Sequence, residues 1–147
     1  MPHYQQPTAS DRLFNRLVAG ATRAGLSVWG SRVLRVQGRK TGEWRTTPVN
    51  LLTHEGRRYL VAPRGETQWV RNLRVAGRGE LVLGRKVEPF VAEEVDSGQS
   101  VPVLRAYLRR WSWEVGRFFG GGISAKSTDE EIAAIAPEHP VFLIATA

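Results

Sequence analysis

Apolar and polar residues alternate along much of the middle of the chain, and short polar turns separate the alternating runs. This pattern is typical of half-buried β-strands. The predicted strands cover residues 33–36, 46–53, 58–62, 80–83, 85–95 and 141–145. A hairpin is expected at Glu55 and Gly56, between the second and third strands. Because most of these strands follow one another through short connections, we expect antiparallel neighbours and enough strands for a barrel.

Other segments carry apolar residues at helical spacing. Helices are predicted over residues 10–24, over 101–119 and over a short stretch that ends near 136. The apolar face of the strongest helix consists of Leu104, Leu108, Trp111, Val115 and Phe118. Such a face favours packing on the barrel, whereas Trp113 and Phe119 lie off it and are candidates for a substrate pocket or a dimer contact. The pattern therefore predicts a mainly β fold with flanking helices, an α+β arrangement.

Composition narrows the class of protein further. The 147 residues, 41% of them hydrophobic, suit a single domain over 1–147, with residues 1–9 flexible. The absence of cysteine excludes disulfides, thiolate metal sites and cysteine nucleophiles. No secretory signal pattern precedes the first helix, so a cytoplasmic location is expected. His3, His54 and His139 are widely separated, and we expect no metal site and no catalytic triad.

The segment between the first two predicted strands has the composition of an anion site. It reads Gly38-Arg39-Lys40-Thr41-Gly42-Glu43-Trp44-Arg45-Thr46-Thr47-Pro48-Val49. Two glycines bracket a turn in which the backbone can adopt positive φ and point several N–H groups at one spot, an arrangement that favours phosphate or carboxylate. The turn and the following strand should share one basic mouth. A solvated hairpin tip with a cationic edge is the plainer interpretation.

The formal net charge of +7 calls for an acidic partner. An anionic cofactor, nucleic acid and anionic lipid are the three candidates. Residues 57–78 contain six arginines and one acid, Glu66, which suggests that the excess lies near the basic mouth. Nucleic-acid binding predicts aromatic residues among the cations on one sheet face, and the strands carry Val, Leu and Thr instead. No nucleic-acid partner is therefore expected.

A second segment makes the pattern specific. Tyr59-Leu60-Val61-Ala62-Pro63-Arg64-Gly65 runs from a strand into a loop, and a short helix-like piece with Trp69, Asn72 and Leu73 follows. With Gly-Arg-Lys-Thr-Gly and Arg45-Thr46-Thr47-Pro48, this block resembles the deazaflavin-dependent nitroreductase and quinone reductase family. These proteins are split-barrel oxidoreductases of the flavin and deazaflavin superfamily, related to pyridoxamine-phosphate oxidases. The likeness is close over residues 30–95 and looser at the ending His139-Pro140-Val141-Phe142.

The resemblance implies a split antiparallel β-barrel that binds the deazaflavin coenzyme F-420, whose phosphate and glutamyl tail are anionic. It places Arg39, Lys40 and Thr41 around the tail. It further places Arg45, Thr46, Thr47 and the Pro48–Val49 backbone along the phosphate and ribityl side. Beside the ring it places Ala62, Pro63, Arg64 and Gly65. Trp69 and Asn72 match the family's Trp-x-x-Asn and close the pocket; packing for Trp69 and turn capping for Asn72 are the alternatives.

The implied activity is hydride transfer from the reduced coenzyme to an electron-poor small molecule: a quinone, an activated enone or a nitroaromatic. The cofactor carries this chemistry, so no catalytic side chain is required, and water supplies the proton. Many relatives have Ser-Lys-Gly where this chain has Pro63-Arg64-Gly65, and proline cannot donate a hydrogen bond. The acceptor preference of relatives therefore does not transfer directly.

Three other functions remain open at this stage. A related split barrel with flavin mononucleotide (FMN) would place a single phosphate in the same mouth. A non-catalytic barrel for an anionic ligand or nucleic acid would need only the positive charge, and a tetrapyrrole carrier would need His54. His139, held extended by Pro140, is expected to be structural. The resemblance also implies homodimers. The cationic helix over 101–119 is compatible with peripheral contact at the inner face of a membrane.

Overall fold

The computed structural model describes residues 31–115, 119 and 122–147. Its strands are β1 (Ser31–Gln37), β2 (Trp44–His54), β3 (Arg57–Val61), β4 (Arg78–Leu83), β5 (Lys86–Val95) and β6 (Val141–Thr146). The helices of this part are α1 (Gln68–Ala76), α2 (Ser97–Val115) and α3 (Asp129–Ile135), followed by a 3₁₀ turn at Ala136–Glu138. The helix predicted over residues 10–24 lies outside the described residues.

All six of these strands join one closed antiparallel barrel in the order β1-β2-β3-β6-β5-β4. Closure depends on β1, which pairs with β2 along one edge and with β4 along the other. The predicted hairpin turn is present, with φ of 51° at Glu55 and 76° at Gly56. The prediction of a mainly β split barrel with flanking helices is confirmed.

The barrel interior is apolar, and one helix contributes side chains to it. Its buried members are Leu34, Val36, Val49, Leu60, Ala62, Val70, Leu73, Leu81, Phe90, Phe142 and Ile144. Val70 and Leu73 come from α1, which connects the end of β3 to the start of β4 and so lies at one end of the barrel. We refer to this end as the α1 end. Because the strands are antiparallel, the exit of β1 and the entry of β2 lie at the same end.

A second apolar cluster lies on the outer face of the barrel. Leu52, Tyr59, Val61 and Val141 point outward and are covered by α2 and α3, whose buried residues there include Leu104, Leu108, Trp111 and Ile132. The prediction that Leu104, Leu108 and Trp111 face the barrel is therefore confirmed. Phe118 and the side chains of Trp113 and Val115 lie outside the described residues. The helix is not continuous, since Trp111 has φ −125° and ψ 17° at a kink. Phe119 is also buried in this cluster, which excludes the pocket or dimer role considered for it.

The far end of the barrel carries a polar network. Arg58 donates from Nη1 to Glu88 Oε1 at 2.8 Å, and its second amino group bonds to the other carboxylate oxygen. Thr146 donates to the same carboxylate from β6 at 3.1 Å. Three strands, β3, β5 and β6, are thus tied together beyond the apolar interior.

Gly79 is expected to be a point of close packing that no larger residue can occupy. A Cβ at this position would lie 2.8 Å from the Arg35 carbonyl oxygen and 2.9 Å from Cζ of Phe90. Gly79→Ala should therefore lower the free energy of unfolding by about 1–3 kcal/mol, because backbone and a buried ring must both shift. Urea unfolding measures this change. Gly98→Ala is the matched control, since the nearest atom is 3.4 Å away; equal losses in both variants would contradict the prediction.

The Arg58–Glu88 pair should make stability depend on pH. Hydrogen bonding and the charge of Arg58 lower the pKa of Glu88 from its ordinary value of 4.5. The pair's contribution is therefore fully present above about 4.5 and is lost as pH falls through the lower folded pKa. Glu88→Gln should cost up to about 1 kcal/mol at neutral pH, a value limited by solvent screening, and progressively less in acid. Urea unfolding from pH 7 to 3 tests this, with exposed Glu93→Gln as control.

Candidate functional site

The basic turn over residues 38–43 lies at the α1 end, but most of its amides are already used. Gly38 N–H donates to the Glu43 carbonyl at 2.8 Å, and Gly42 N–H donates to the Gly38 carbonyl at 2.9 Å. Glu43 N–H donates to Thr41 Oγ1 at 3.2 Å. Of the two glycines only Gly42 has positive φ, 75°. The expected amide nest is therefore reduced, because the hydrogen bonds that close the turn consume its donors.

Gly38 lies close to two side chains of the basic segment. A Cβ there would lie 3.3 Å from Thr41 Oγ1 and 3.7 Å from Arg45 Nε, so the Arg45 side chain lies across the turn. The expectation that turn and strand share one basic mouth is met at this point. The pairing of Arg45 with Glu43 is long, 3.8 Å, and both side chains are mostly exposed. The positive charge of Arg45 is therefore largely available to a ligand.

Asn72 anchors the turn to α1. Its Oδ1 accepts from the backbone N–H of Arg39 at 3.1 Å and from Arg39 Nη1 at 2.8 Å, and the same Nη1 reaches Gln68 Oε1 at 2.9 Å. Asn72 is only 5% exposed. Arg39 and Asn72, both predicted to contact cofactor, thus bind each other across 33 positions of sequence.

Strand β2 divides its predicted site residues between two faces. In the register with β1, Arg45 is opposite Val36 and Thr47 is opposite Leu34, both interior residues. Thr46 and Pro48 alternate with them and therefore lie on the outer face. Val49 is buried in the interior, so only its backbone is available. Of the polar site residues predicted on β2, Arg45 and Thr47 have their side chains on the interior side.

The loop after β3 is a tight turn at the same end. Gly65 N–H donates to the Ala62 carbonyl at 3.2 Å, and Gly65 has φ of 88°. Ala62 is buried, whereas Pro63 and Arg64 are half-buried. His139 Nδ1 lies 3.0 Å from the Pro63 carbonyl oxygen, and the imidazole stacks on Phe119 with centroids 4.2 Å apart. The expectation that His139 is structural is consistent with this burial and contact.

The start of α1 lies between the two turns and is not capped. Thr67 occupies the N-cap position, makes no side-chain capping bond and has no acidic residue after it in the first turn. In the described part of the chain its Oγ1 is the buried side-chain polar atom without a partner. Trp69 packs on Phe142, with ring centroids 6.0 Å apart, at the edge of the interior. An uncapped helix start of this kind carries partial positive charge.

Charge is distributed differently from the sequence-based expectation. Among the arginines of residues 57–78, Arg58 belongs to the network at the far end of the barrel. Arg74 is neutralised by Glu66 at 3.0 Å and by Glu94 at 2.8 Å. The expected excess near the mouth is thus smaller than the sequence suggests, because folding pairs Arg74 with a distant acid on β5. Lys40 and Arg45 are the exposed cations of the mouth itself.

The residues at this end of the barrel suit an anionic cofactor. The mouth offers exposed cations, an uncapped helix start with an orphaned hydroxyl, and apolar surface at Trp69. His54 lies at the far end, beside a groove of about 540 Å³ that α2 and α3 line. Within the described residues no group of His, Cys, Asp and Glu could hold a metal ion.

Two contributors to this site were not predicted from sequence. Gln68 shares the Arg39 guanidinium, and Thr67 carries the orphaned hydroxyl. The spacing Thr67-Gln68-Trp69 before Asn72 was a usable signal, since a threonine ahead of a helix normally caps it. That the cap would be absent could not be inferred from the sequence.

The chain belongs to the F420H2-dependent quinone reductase family, whose model matches residues 11–116. This places the protein in a class of oxidoreductases. Among curated proteins none matches the sequence.

Several solved structures share the fold. One is an F420-H2 dependent reductase, FDR-A, with TM-score 0.53 and 16% identity over 79% of this chain and 94% of that one. Another, described as a domain-swapped dimer, has TM-score 0.56 and 16% identity over 92% and 96%. The conserved hypothetical protein Rv2991 from Mycobacterium tuberculosis has TM-score 0.51 and 18% identity over 79% and 72%. At these identities the likeness establishes the split barrel alone.

None of the helices in the described ranges is both long and apolar enough to span a bilayer.

Asn72→Ala should loosen the basic turn without unfolding the barrel. It removes the acceptor of two Arg39 hydrogen bonds, one of them charge-assisted, and should lower the free energy of unfolding by about 1–3 kcal/mol. The Arg39 amide should exchange faster with solvent. Amide hydrogen exchange and urea unfolding measure the two effects. Gln68→Ala removes only one exposed bond to the same guanidinium and serves as control; equal exchange in both variants would contradict the anchoring role.

Proposed function

We propose that the protein is an F-420-dependent reductase that transfers a hydride from the reduced coenzyme to an electron-poor small molecule. The acceptor class is a quinone, an activated enone or a nitroaromatic. The observation that carries this proposal is the cationic mouth at the α1 end, in a chain whose family is named for reduced F-420 and quinones. An anionic coenzyme tail explains why Lys40 and Arg45 remain exposed there and why Arg45 is only weakly paired with Glu43.

The residues divide into those that contact the coenzyme and those that hold the contacts in place. Lys40, Thr41 and Arg45 bind the anionic tail and phosphate, with Thr47 beside them on the interior side. Arg39 contributes through the anchored shape of the turn, because its backbone N–H is bound to Asn72 and its guanidinium to Asn72 and Gln68. Thr46 contributes backbone only, since its side chain lies on the outer face.

The ring end of the coenzyme belongs between the turn over residues 62–65 and Trp69. Ala62 and Gly65 are buried there, whereas Pro63 and Arg64 are half-buried and are the members of the turn that can lie beside the ring. When bound, the reduced deazaflavin supplies the hydride. This chain's own contribution is to hold the ring against apolar surface and keep competing water out, and solvent provides the proton because Pro63 has no donor.

The oligomeric state and the location of the protein belong to the same proposal. One structural neighbour is described as a domain-swapped dimer, and we propose that this chain also pairs with a second copy. We also propose that the protein is cytoplasmic and contacts the inner face of the membrane, because this location would suit a lipid-soluble quinone. Gel filtration and co-sedimentation with anionic vesicles test these two points separately.

Removing either exposed cation of the mouth should weaken coenzyme binding. Lys40→Ala and Arg45→Ala should each cost about 1–3 kcal/mol of F-420 binding free energy, because each deletes a charge-assisted contact. Lys86→Ala and Arg85→Ala remove the same charges at the far end of the barrel and serve as matched controls. Fluorescence titration of the coenzyme measures the affinities. Equal weakening in mouth and control variants would show a general effect of net charge and contradict the assigned site.

The first experiment is a fluorescence titration of the protein with F-420 and, in parallel, with FMN. Tight F-420 binding with weak FMN binding supports the proposal and justifies screening quinones and nitroaromatics for turnover. The reverse order of affinities would move the protein to the flavin branch. If neither binds and the protein instead binds nucleic acid with a strong salt dependence, the basic barrel is a binding module.

A further inference from the structure

The turn over residues 62–65 is held to the rest of the barrel by an unusual pair of contacts. The β3–β6 ladder ends with Val61 opposite Val141. One position further, Ala62 N–H donates to the Pro140 carbonyl at 2.9 Å. Pro140 has no N–H, so the reciprocal hydrogen bond of an antiparallel pair cannot form. The ladder therefore stops just where the turn begins.

His139 supplies the hydrogen-bond donor that the backbone of Pro140 lacks. Its own N–H is used on the Ala136 carbonyl at 3.0 Å, so the imidazole is the remaining donor of the His139–Pro140 pair. The ring nitrogen Nδ1 lies 3.0 Å from the Pro63 carbonyl oxygen. A carbonyl can only accept, and Nδ1 must therefore carry the proton and donate.

The imidazole is fixed from its other side as well. His139 is 1% exposed, and it stacks on Phe119 at 4.2 Å with an angle of 23° between the rings. A buried, stacked ring has little freedom to turn away from Pro63. The direction of the Pro63 carbonyl, and with it the plane of the Pro63–Arg64 peptide, is set by a residue that is 76 positions away in sequence.

We propose that His139 is a positioning residue of the coenzyme site, which orients the turn over residues 62–65 toward the deazaflavin ring through its Nδ1–H bond to Pro63. This inference rests on the proposed function. His139 acts through the turn and does not touch the coenzyme. Its ring packing and its donor are separate properties, and two substitutions distinguish them.

His139→Phe keeps a ring to stack on Phe119 and removes the donor. His139→Asn keeps an N–H donor close to the position of Nδ1 and removes the ring. If the donor positions the turn, the Phe variant should bind F-420 about five-fold more weakly, the loss expected for one hydrogen bond. The Asn variant should bind within about two-fold of the wild type, although its melting temperature falls further because a buried ring is lost.

Amide hydrogen exchange gives a readout that does not need the coenzyme. The Gly65 and Thr67 amides, which bond to Ala62 and Gly65, should exchange faster in His139→Phe than in His139→Asn. Affinity that follows melting temperature across the two variants would overturn the proposal, as would unchanged exchange in His139→Phe. Should that variant fail to fold, weak F-420 binding by His139→Asn overturns the proposal and near-normal binding supports it. A wild-type protein that binds no F-420 would instead overturn the proposed function.

Discussion

Closure of the barrel through β1 is the constraint on which the other features depend. This strand pairs with β2 and β4 at once, and the second pairing requires Gly79, where a side chain would collide with the β1 backbone and with Phe90. Once the cylinder is closed, its interior is filled from every strand and from α1. The two turns that form the mouth are thereby brought to the same end, although 24 positions of sequence separate Gly38 from Ala62.

Buried polar side chains hold the mouth in shape. Asn72 fixes the basic turn through Arg39, and His139 fixes the following turn through Pro63. Both anchors are almost inaccessible to solvent, which makes an unmade hydrogen bond there costly and a made one correspondingly specific. The exposed cations Lys40 and Arg45 lie on and beside the basic turn that Asn72 anchors. Turns anchored by hydrogen bonds, with exposed cations beside them, suit the proposed ligand, which has a planar ring at one end and a charged tail at the other.

The net charge of +7 is an incomplete guide to where a ligand binds. Ion pairing leaves that net charge unchanged but offsets individual cations locally: Arg58 is paired with Glu88 at the far end, Arg74 on α1 with Glu94, and Arg105 on α2 with Asp129. Each pair links elements that are distant in sequence. What remains at the mouth is a small group of cations, whose local density decides where an anion binds.

Sequence alone determined the strands, the main helix, the family and the position of the basic turn, because alternation, helical spacing and glycine-bounded motifs are local properties. It did not determine which members of those motifs face a ligand. The register of β2 sends Arg45 and Thr47 inward and Thr46 outward, and the fold joins Arg39 to Asn72. The kink at Trp111 and the burial of Phe119 against His139 also depend on tertiary packing. Hydrogen-bond partners are chosen between distant segments, and only the closed barrel brings those segments together.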